Sequence, residues 1–443
     1  MKESSRNWTY IIMGLFIVLT GFSLLIWERY TVYFLLYITA GLIGIYGVIQ
    51  IIMTLLNYKD LKTRWDLVFQ SIVGIVAIIF SLWLFSRTAI SIQILSYIIG
   101  GYQVIMGVIN LIAYILLRAN DVPDRFFKIV YAVVHIVMGF ITISVTLTND
   151  TVLNLLSIYI IFIGFTYIND GRQAVIPQET SKKVKRRMRF PLPVIFQAFL
   201  PQRVIRKVNR FIEDELNIDE QIIKEKRELN QQIDPDHILK IHVSTGEEDL
   251  DRIGHTNFVY KDTVYTYGNH DIDSRHIAML IGDGVLAICD LESYMAYTMS
   301  KGTTIIEYTI VLTDDQVNTL QSQLDGILNQ LEPWEPVSEK QWDSHAGNLL
   351  HYTNTKLYKF TEGKYKTYFA LGTNCVMLTD DFIGISGLDL FPMVGVLTPG
   401  TYYDYLDKEY EKENTIVINR TVYNQKLHDY LIEHTKNLSD LLE

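Results

Sequence analysis

Residues 37–47 read YITAGLIGIYG and residues 97–107 read YIIGGYQVIMG, so one spacing of tyrosine and glycine returns after 60 positions. Both stretches lie in long apolar runs that carry almost no charge. An apolar helix of about 20 residues is long enough to cross the hydrocarbon core of a bilayer. The two stretches therefore predict membrane-spanning helices that belong to an internal repeat.

Six apolar runs of this kind fill the first part of the chain. The predicted spans are residues 8–27, 31–56, 67–86, 89–117, 127–147 and 152–170. Glycines recur with the same period in the first two copies, and a looser third copy passes through Gly139, Tyr159 and Gly164. Recurring glycines let helix backbones approach closely in lipid. We therefore expect residues 1–175 to form an all-α six-helix transmembrane bundle of three hairpin repeats.

This glycine-rich repeat resembles the acid-resistance membrane proteins of the HdeD type over about 160 residues. His135 is the ionisable side chain placed well inside a predicted span, and intramembrane titratable groups are functional candidates. It is a candidate for membrane pH sensing, and the alternative is a neutral imidazole bonded to a neighbouring helix. The spans lack the several charged residues of an ion pathway, so we do not expect a transporter.

Charge is strongly segregated along the 443 residues. Residues 1–210 hold 21 Lys and Arg against 9 Asp and Glu, whereas the remainder holds 18 against 40. The basic residues of the membrane half cluster at the N-terminus, around residues 59–64 and 118–128, and across residues 171–210. The positive-inside bias then predicts a multi-pass protein of the cell membrane with both termini in the cytoplasm. An acidic soluble half argues against nucleic-acid binding.

Between the two halves, residues 176–235 are predicted to be a connector. The stretch SKKVKRRMRFPLPVIFQAFLPQRVIRKVNR joins basic clusters to a short apolar run interrupted by prolines. Such a segment can lie in the headgroup region of the bilayer, although simple positive-inside topology with a solvated linker explains it as well. A mixed-charge helix or spacer follows.

Residues 236–443 are predicted to form a cytosolic α+β domain. ILKIHVS, TNFVYK, TVYTYG, HIAMLIG and VLAICDL are typical of strands, and TDDQVNTLQSQLDGILNQL is typical of a helix capped by Thr313. KYKTYFAL predicts a further strand, and the helix after it begins at Cys375 with Asn374 as its cap. A thiol in the first turn of a helix is stabilised as the thiolate.

The order of these motifs resembles the circularly permuted papain-like domains, in which histidine precedes cysteine. KIHVSTGEEDLDRIGHTNFVYKDTVYTYGNHD is similar to the start of the lacto-N-biosidase-associated N-terminal domain group, with lecithin:retinol acyltransferase-like enzymes more distant. The resemblance implies Cys375 as nucleophile and His255 as its base, with His270 or Asn269 as the orienting residue. His276 is a rival base, because a histidine that opens a strand also occurs in unpermuted relatives.

Two functions remain open from the sequence. The first is a membrane-anchored cysteine hydrolase or acyltransferase that uses a Cys–His thiolate on an amide, ester or thioester, possibly lipid-linked, at the inner membrane face. The second is a non-enzymatic membrane-stress or acid-resistance protein whose soluble domain binds a partner and whose thiol is only packed. Two cysteines fit a reducing compartment and leave no disulfide framework. No cofactor or metal motif is found, and the lipid bilayer is the expected partner.

Overall fold

The protein is described by a computed structural model, which divides into two compact units. One unit is Met1–Val108 with Val130–Gly171, and the other is Ile109–Ile129 with Arg172–Glu443. The residues described are 2–56, 64–144, scattered helical positions between 150 and 168, 187–189, 224–226, 234–246, 254–277, 279–386, 390–392, 398–411 and 415–425. Most of the sixth predicted span and of the predicted connector lies outside the described residues.

All regular elements described in the N-terminal region are helices. Its long helices are α1 (Lys2–Leu56), α2 (Arg64–Ser86), α3 (Thr88–Ala119) and α4 (Phe126–Ser144). Three segments are long and apolar enough to cross a membrane, namely Tyr30–Leu55, Val68–Ser86 and Thr88–Ala119. Ile12–Trp27 and Lys128–Ser144 are shorter apolar helices. The expectation of apolar membrane helices is confirmed to this extent.

Helix α1 covers the first two predicted spans and bends sharply between them. Thr31 Oγ1 donates to the carbonyl oxygen of Ser23 at 2.9 Å, and the two hydroxyl oxygens are also 2.9 Å apart. Eight residues of straight helix would separate these positions by about 12 Å along the axis. The chain must therefore change direction near residue 28, as expected if the two spans are separate.

Several glycines of the repeat lie where two helix backbones meet. A Cβ atom on Gly47 would lie 2.7 Å from the carbonyl oxygen of Gly74, and one on Gly100 would lie 2.8 Å from that of Gly139. Only glycine allows such an approach, and this close backbone packing holds apolar helices together in lipid. Gly41 and Gly101 differ, because a Cβ on either would meet nothing within 4 Å.

The C-terminal region is built on one large sheet. Its described strands are β1 (Arg187–Arg189), β2 (Lys224–Lys226), β3 (Ile238–Thr245), β4 (His255–Tyr260), β5 (Thr263–Gly268), β6 (Ile281–Asp283), β7 (Val285–Asp290), β8 (Thr304–Val311), β9 (Leu331–Pro333), β10 (Lys356–Phe360), β11 (Thr367–Phe369), β12 (Leu390–Pro392) and β13 (Val417–Tyr423). Nine of them form a sheet in the order β2-β13-β8-β3-β4-β5-β7-β10-β9, in which all neighbours are antiparallel. β6 pairs with β11 and β1 with β12 outside this sheet.

Helices cover both faces of the sheet. They are α5 (Leu291–Ser300), α6 (Asp314–Leu328), α7 (Glu339–Trp342), α8 (His345–Tyr352), α9 (Cys375–Ile383) and α10 (Pro399–Tyr410). Because side chains alternate along a strand, Phe258 packs in one core with α6, α9 and α10, while its neighbour Val259 packs in a second core with α5 and α8. The expected sheet-rich α+β region is confirmed.

Local signals predicted most of these elements, and one strand was predicted wrongly. Lys261 and Asp262 both have positive φ (50° and 54°), which is the two-residue turn that joins β4 to β5. HIAMLIG, in contrast, becomes strand only from Ile281 onward. Ile277 and Met279 have φ of 48° and 68°, and left-handed residues cannot continue an extended strand.

Candidate active site

Cys375 is the first residue of helix α9. Asn374 caps this helix, because its side-chain oxygen accepts from the amide of Met377 at 3.1 Å. The Asn374 amide group donates in turn to the carbonyl oxygen of Ala370 at 2.9 Å, which ties the cap to the chain leaving β11. The first amides of a helix have no acceptor within it and carry the positive end of the dipole. The thiol thus lies where a negative charge is stabilised.

Helix α9 is held on strand β4 by aromatic packing. The rings of Phe258 and Phe382 stack with centroids 4.1 Å apart, and Phe258 also stacks on Tyr265 of β5 at 4.9 Å. This contact fixes the helix across the strand that begins with His255 and Thr256. Residues separated by 120 positions in the sequence therefore meet at one point.

The thiol of Cys375 has three described partners, and all of them favour the thiolate. Burial raises the pKa of Cys375, since the side chain is only 5% exposed, but the His255 imidazole hydrogen-bonds to the sulfur and opposes this effect. The backbone amide and the hydroxyl of Thr256 also lower the pKa of this thiol. The resulting pKa of Cys375 lies below its ordinary value.

The other side of the His255 ring is occupied by a threonine. Nε2 of His255 lies 2.6 Å from Oγ1 of Thr266 on the neighbouring strand β5. This contact leaves Nδ1 as the ring nitrogen that can receive a proton from Cys375. Thr266 is 2% exposed, so the imidazole is oriented by a buried neutral hydroxyl.

Asn269 and His270 were predicted to orient His255, but Thr266 is the residue that contacts Nε2 of the ring. The Asn269 side chain donates to the carbonyl oxygen of Met279 at 3.3 Å, beside Gly282. His270 is buried and stacks on His345 with ring centroids 5.4 Å apart. Burial lowers the pKa of His270 well below its usual value, and the nearby His345, His255 and Arg275 lower it further. His270 is therefore a neutral neighbour of the site.

The other two predicted histidines, His276 and His135, have different described contacts. His276 makes a backbone bridge with Ile281, and its side chain is exposed. In the membrane half, His135 Nδ1 bonds to the carbonyl oxygen of Tyr131 at 2.9 Å within helix α4. Of the candidate bases, His255 is the one with a described side-chain bond to the sulfur.

The surroundings of the second cysteine, Cys289, raise its pKa instead of lowering it. Cys289 is 1% exposed and accepts from Oγ1 of Thr355 at 2.9 Å. Burial raises the pKa of Cys289 to about 12, so it remains a thiol at neutral pH. Within the described residues, no group of three or more His, Cys, Asp or Glu could hold a metal ion.

Sequence reasoning missed Thr256 and Thr266, although one signal could have located Thr266. The turn at Lys261-Asp262 sets the β4–β5 register, which pairs Tyr260 with Thr263 and Phe258 with Tyr265. Continuing that register places Thr266 diagonally across from His255, within reach of a long side chain. Thr256 could not be found in this way, because its contact depends on where α9 packs.

Comparison with known proteins finds a family match in the N-terminal region. Residues 12–71 and 72–144 match a family described as a short repeat of unknown function (DUF308). The second match begins where the first ends, which agrees with the 60-residue period of the glycines. No curated protein and no solved structure matches the chain. The N-terminal region is therefore similar to the HdeD-like membrane proteins, which share this repeat.

Proposed function

We propose that the C-terminal region is a cysteine hydrolase or acyltransferase of permuted papain-like type, anchored in the membrane by a six-helix bundle. The observation that carries the proposal is the bond between the His255 imidazole and the Cys375 thiol at the start of a helix. A nucleophile with an adjacent base that a third group orients is the arrangement used in covalent acyl transfer.

The chemistry follows from the positions of the protons. Nδ1 of His255 takes the proton of the Cys375 thiol, and the thiolate attacks the carbonyl carbon of an amide, ester or thioester. The backbone amide of Cys375 is the candidate donor to the oxygen that becomes negative. The tetrahedral intermediate expels its amine, alcohol or thiol, which takes the proton from His255. Water or a second acceptor then gives a proton to His255, attacks the thioester and releases the thiolate.

The membrane attachment supports a substrate at the inner face of the bilayer. The chain joins this domain to apolar helices long enough to span, and the charge bias favours a cytoplasmic domain. A lipid-linked or acylated substrate would explain why the enzyme is tethered. The six-helix arrangement is supported by the bend in α1 and by the close approach of Gly14 to Gly164, which joins the first repeat to the third.

Alkylation of the full chain with iodoacetamide tests the proposal. Cys375 is expected to react at pH 7 at least about tenfold faster than Cys289, and His255→Ala is expected to remove most of this advantage. Peptide-resolved mass spectrometry reports both thiols in one sample. Equal, slow reaction of the two cysteines would contradict the proposal and favour the non-enzymatic binding module.

A further inference from the structure

Most of the exposed apolar side chains of the C-terminal region lie on two short segments. Within the described residues of this region, the large apolar side chains that are exposed are Ile277 (64%), Met279 (51%), Val337 (87%), Trp342 (49%) and Tyr352 (59%). All but Tyr352 belong to the segments around residues 277–279 and 337–342. Apolar side chains that are exposed together mark a contact surface for a protein or a membrane.

Bonds between side chains hold the two segments next to each other. Ser338 Oγ donates to Oδ2 of Asp273 at 2.6 Å, and Nε2 of Gln341 donates to Oδ1 of Asp271 at 2.7 Å. Each donor directly adjoins an exposed apolar residue of the second segment, and each acceptor lies within six residues of Ile277. The exposed groups of the two segments therefore form one apolar rim, which consists of Ile277, Met279, Val337 and Trp342.

The first segment is an ordered turn with a strained backbone. His276 and Ile281 form a backbone bridge, and the amide of Leu280 donates to the carbonyl oxygen of Ile277 at 3.0 Å. Ile277 and Met279 have φ of 48° and 68°, where glycine and asparagine are ordinarily found. A β-branched residue is especially disfavoured there, because its side chain crowds the backbone. Backbone strain of this kind is concentrated at functional positions, and here the strained residues are the ones with exposed apolar side chains.

The turn lies close to the end of an apolar helix. Asn120 directly follows the segment Thr88–Ala119, which is long enough to span a membrane, and it belongs to the same compact unit as the C-terminal region. Its side-chain nitrogen donates to Oγ1 of Thr367 at 3.1 Å, and Thr367 pairs with Asp283 at the end of strand β6. Met279 is four residues from Asp283, so their Cα atoms lie within about 14 Å of each other. A spanning helix ends at the membrane surface, so the turn is near the bilayer interface.

The same turn is bonded to the loop that carries the thiol. The amide of Ala370 donates to the carbonyl oxygen of Leu280 at 2.8 Å. The carbonyl oxygen of Ala370 accepts from the side chain of Asn374, which caps the helix that begins at Cys375. A membrane contact at the turn would therefore fix the position of the candidate active site relative to the lipid.

The charges beside the rim do not favour an anionic surface. Lys340 is exposed, but Glu339 and Asp343 are exposed on the same short segment. Attraction to anionic lipid requires an excess of Lys and Arg. Contact through this surface must therefore depend on apolar insertion, and Trp342 is of the residue type that favours the membrane–water interface.

We propose that the apolar rim is an interfacial anchor for the C-terminal region. Ile277 and Met279 insert between the headgroups and acyl chains of the bilayer that the chain itself spans, and Val337 and Trp342 lie at the edge of the contact. The strength of such a contact grows with the apolar area that it buries. The inference goes beyond the proposed function, because a bilayer contact does not require a reactive thiol.

Quenching of a site-specific fluorophore tests the anchor in the full chain, reconstituted in nanodiscs of phosphatidylcholine. A nitrobenzoxadiazole label is placed on Met279→Cys in a Cys375→Ser background, in which the remaining Cys289 is buried and should not react. Phosphatidylcholine with spin-labelled acyl chains is expected to lower the emission at least about twofold, because the inserted label contacts the acyl region. Lys356→Cys, exposed at the end of β10 that is more distant from β6, is the matched control. Its label should be quenched by aqueous iodide and not by the spin-labelled lipid.

A second substitution tests the apolar side chain itself. Ile277→Asn should keep the domain folded and Cys289 unlabelled, since asparagine tolerates positive φ. Quenching at position 279 by the spin-labelled lipid should nevertheless fall by at least about half, because less apolar area is inserted. If Met279→Cys disturbs the fold and Cys289 becomes labelled, the label is moved to Val337→Cys, where quenching by the lipid is again expected.

Three results would overturn the inference. Quenching at the rim by iodide alone would show that the rim faces water. Protection from both quenchers would show that a protein partner or a second copy covers it. Unchanged lipid quenching in Ile277→Asn would show that the apolar tip does not hold the contact. These results leave the Cys–His proposal intact, because alkylation of Cys375 tests that proposal separately.

Discussion

Cys289 and Cys375 are both nearly fully buried, yet their neighbours act on the two thiols in opposite directions. Cys289 meets one neutral hydroxyl in an apolar core, so burial dominates and raises its pKa. Cys375 meets an imidazole, a hydroxyl and a backbone amide, and together they outweigh the cost of burial. A charged form is favoured in a protein interior only where such partners replace the lost water. Burial alone therefore does not decide whether a cysteine is inert.

His270 gives a prediction about stability and pH at the same scale. Its pKa in the folded protein is well below the value of about 6.5 expected after unfolding. Below pH 6.5 the unfolded chain therefore takes up a proton that the folded chain does not, and the free energy of unfolding should fall by up to about 1.4 kcal/mol per pH unit. This stability is fully present above pH 6.5.

The urea dependence of Cys289 alkylation, measured in a Cys375→Ser background, reports this unfolding because Cys289 is exposed only when its core opens. His270→Leu should reduce the fall in the free energy of unfolding between pH 6.5 and 5. His276→Leu changes an exposed side chain and should leave that fall unchanged. An equally steep decline in the His270 variant would show that the buried imidazole is not its source.

Among the elements, the hairpin β4–β5 positions Thr266 beside His255, and the glycine contacts position the apolar helices against one another. The hairpin brings Thr266 beside His255 through a two-residue turn, which depends on local sequence alone. The glycines instead contact each other between helices, and the sequence spacing of the repeat does not show which two glycines meet. Gly41 and Gly47 belong to the same repeat, but only Gly47 faces another backbone.

This difference predicts the result of two matched substitutions. Gly47→Ala would force a methyl group to within 2.7 Å of the carbonyl oxygen of Gly74, so helices α1 and α2 must separate. Gly41→Ala meets nothing within 4 Å and should be neutral or slightly stabilising, because alanine favours helix. The temperature at which the detergent-solubilised protein loses its monodisperse chromatographic peak should drop for Gly47→Ala alone. Equal behaviour of the two variants would contradict the packing described.

At the scale of the whole molecule, the dominant feature is the segregation of charge between a basic N-terminal part, which holds the apolar helices, and an acidic C-terminal part. Lys and Arg near the ends of spans resist translocation, and acidic residues contribute little to orientation. The substrates proposed for the Cys–His pair depend on the side of the membrane on which the C-terminal region lies. Peptidoglycan itself would not be accessible from the cytoplasm, whereas its lipid-linked precursors would.

Reporter fusions after Glu443 test this orientation. A green fluorescent protein fusion should be fluorescent and an alkaline phosphatase fusion inactive, since the first reporter folds in the cytoplasm and the second requires export. The same pair of reporters placed after Arg29, between the first two predicted spans, should give the opposite result. Phosphatase activity at Glu443 would place the domain outside and overturn the argument for an inner-face substrate.

The sequence by itself determined the features that depend on neighbouring residues or on overall composition. Apolar length predicts membrane helices, the 60-residue period predicts the repeat, and Asn374 predicts the start of the helix that carries Cys375. Only the tertiary structure decided that Thr266, rather than His270 or Asn269, contacts the His255 ring, and that Thr256 lies beside the Cys375 thiol. The physical reason is that these contacts form where strands β4 and β5 pair and where α9 packs on the sheet, and such packing depends on side chains far apart in the chain.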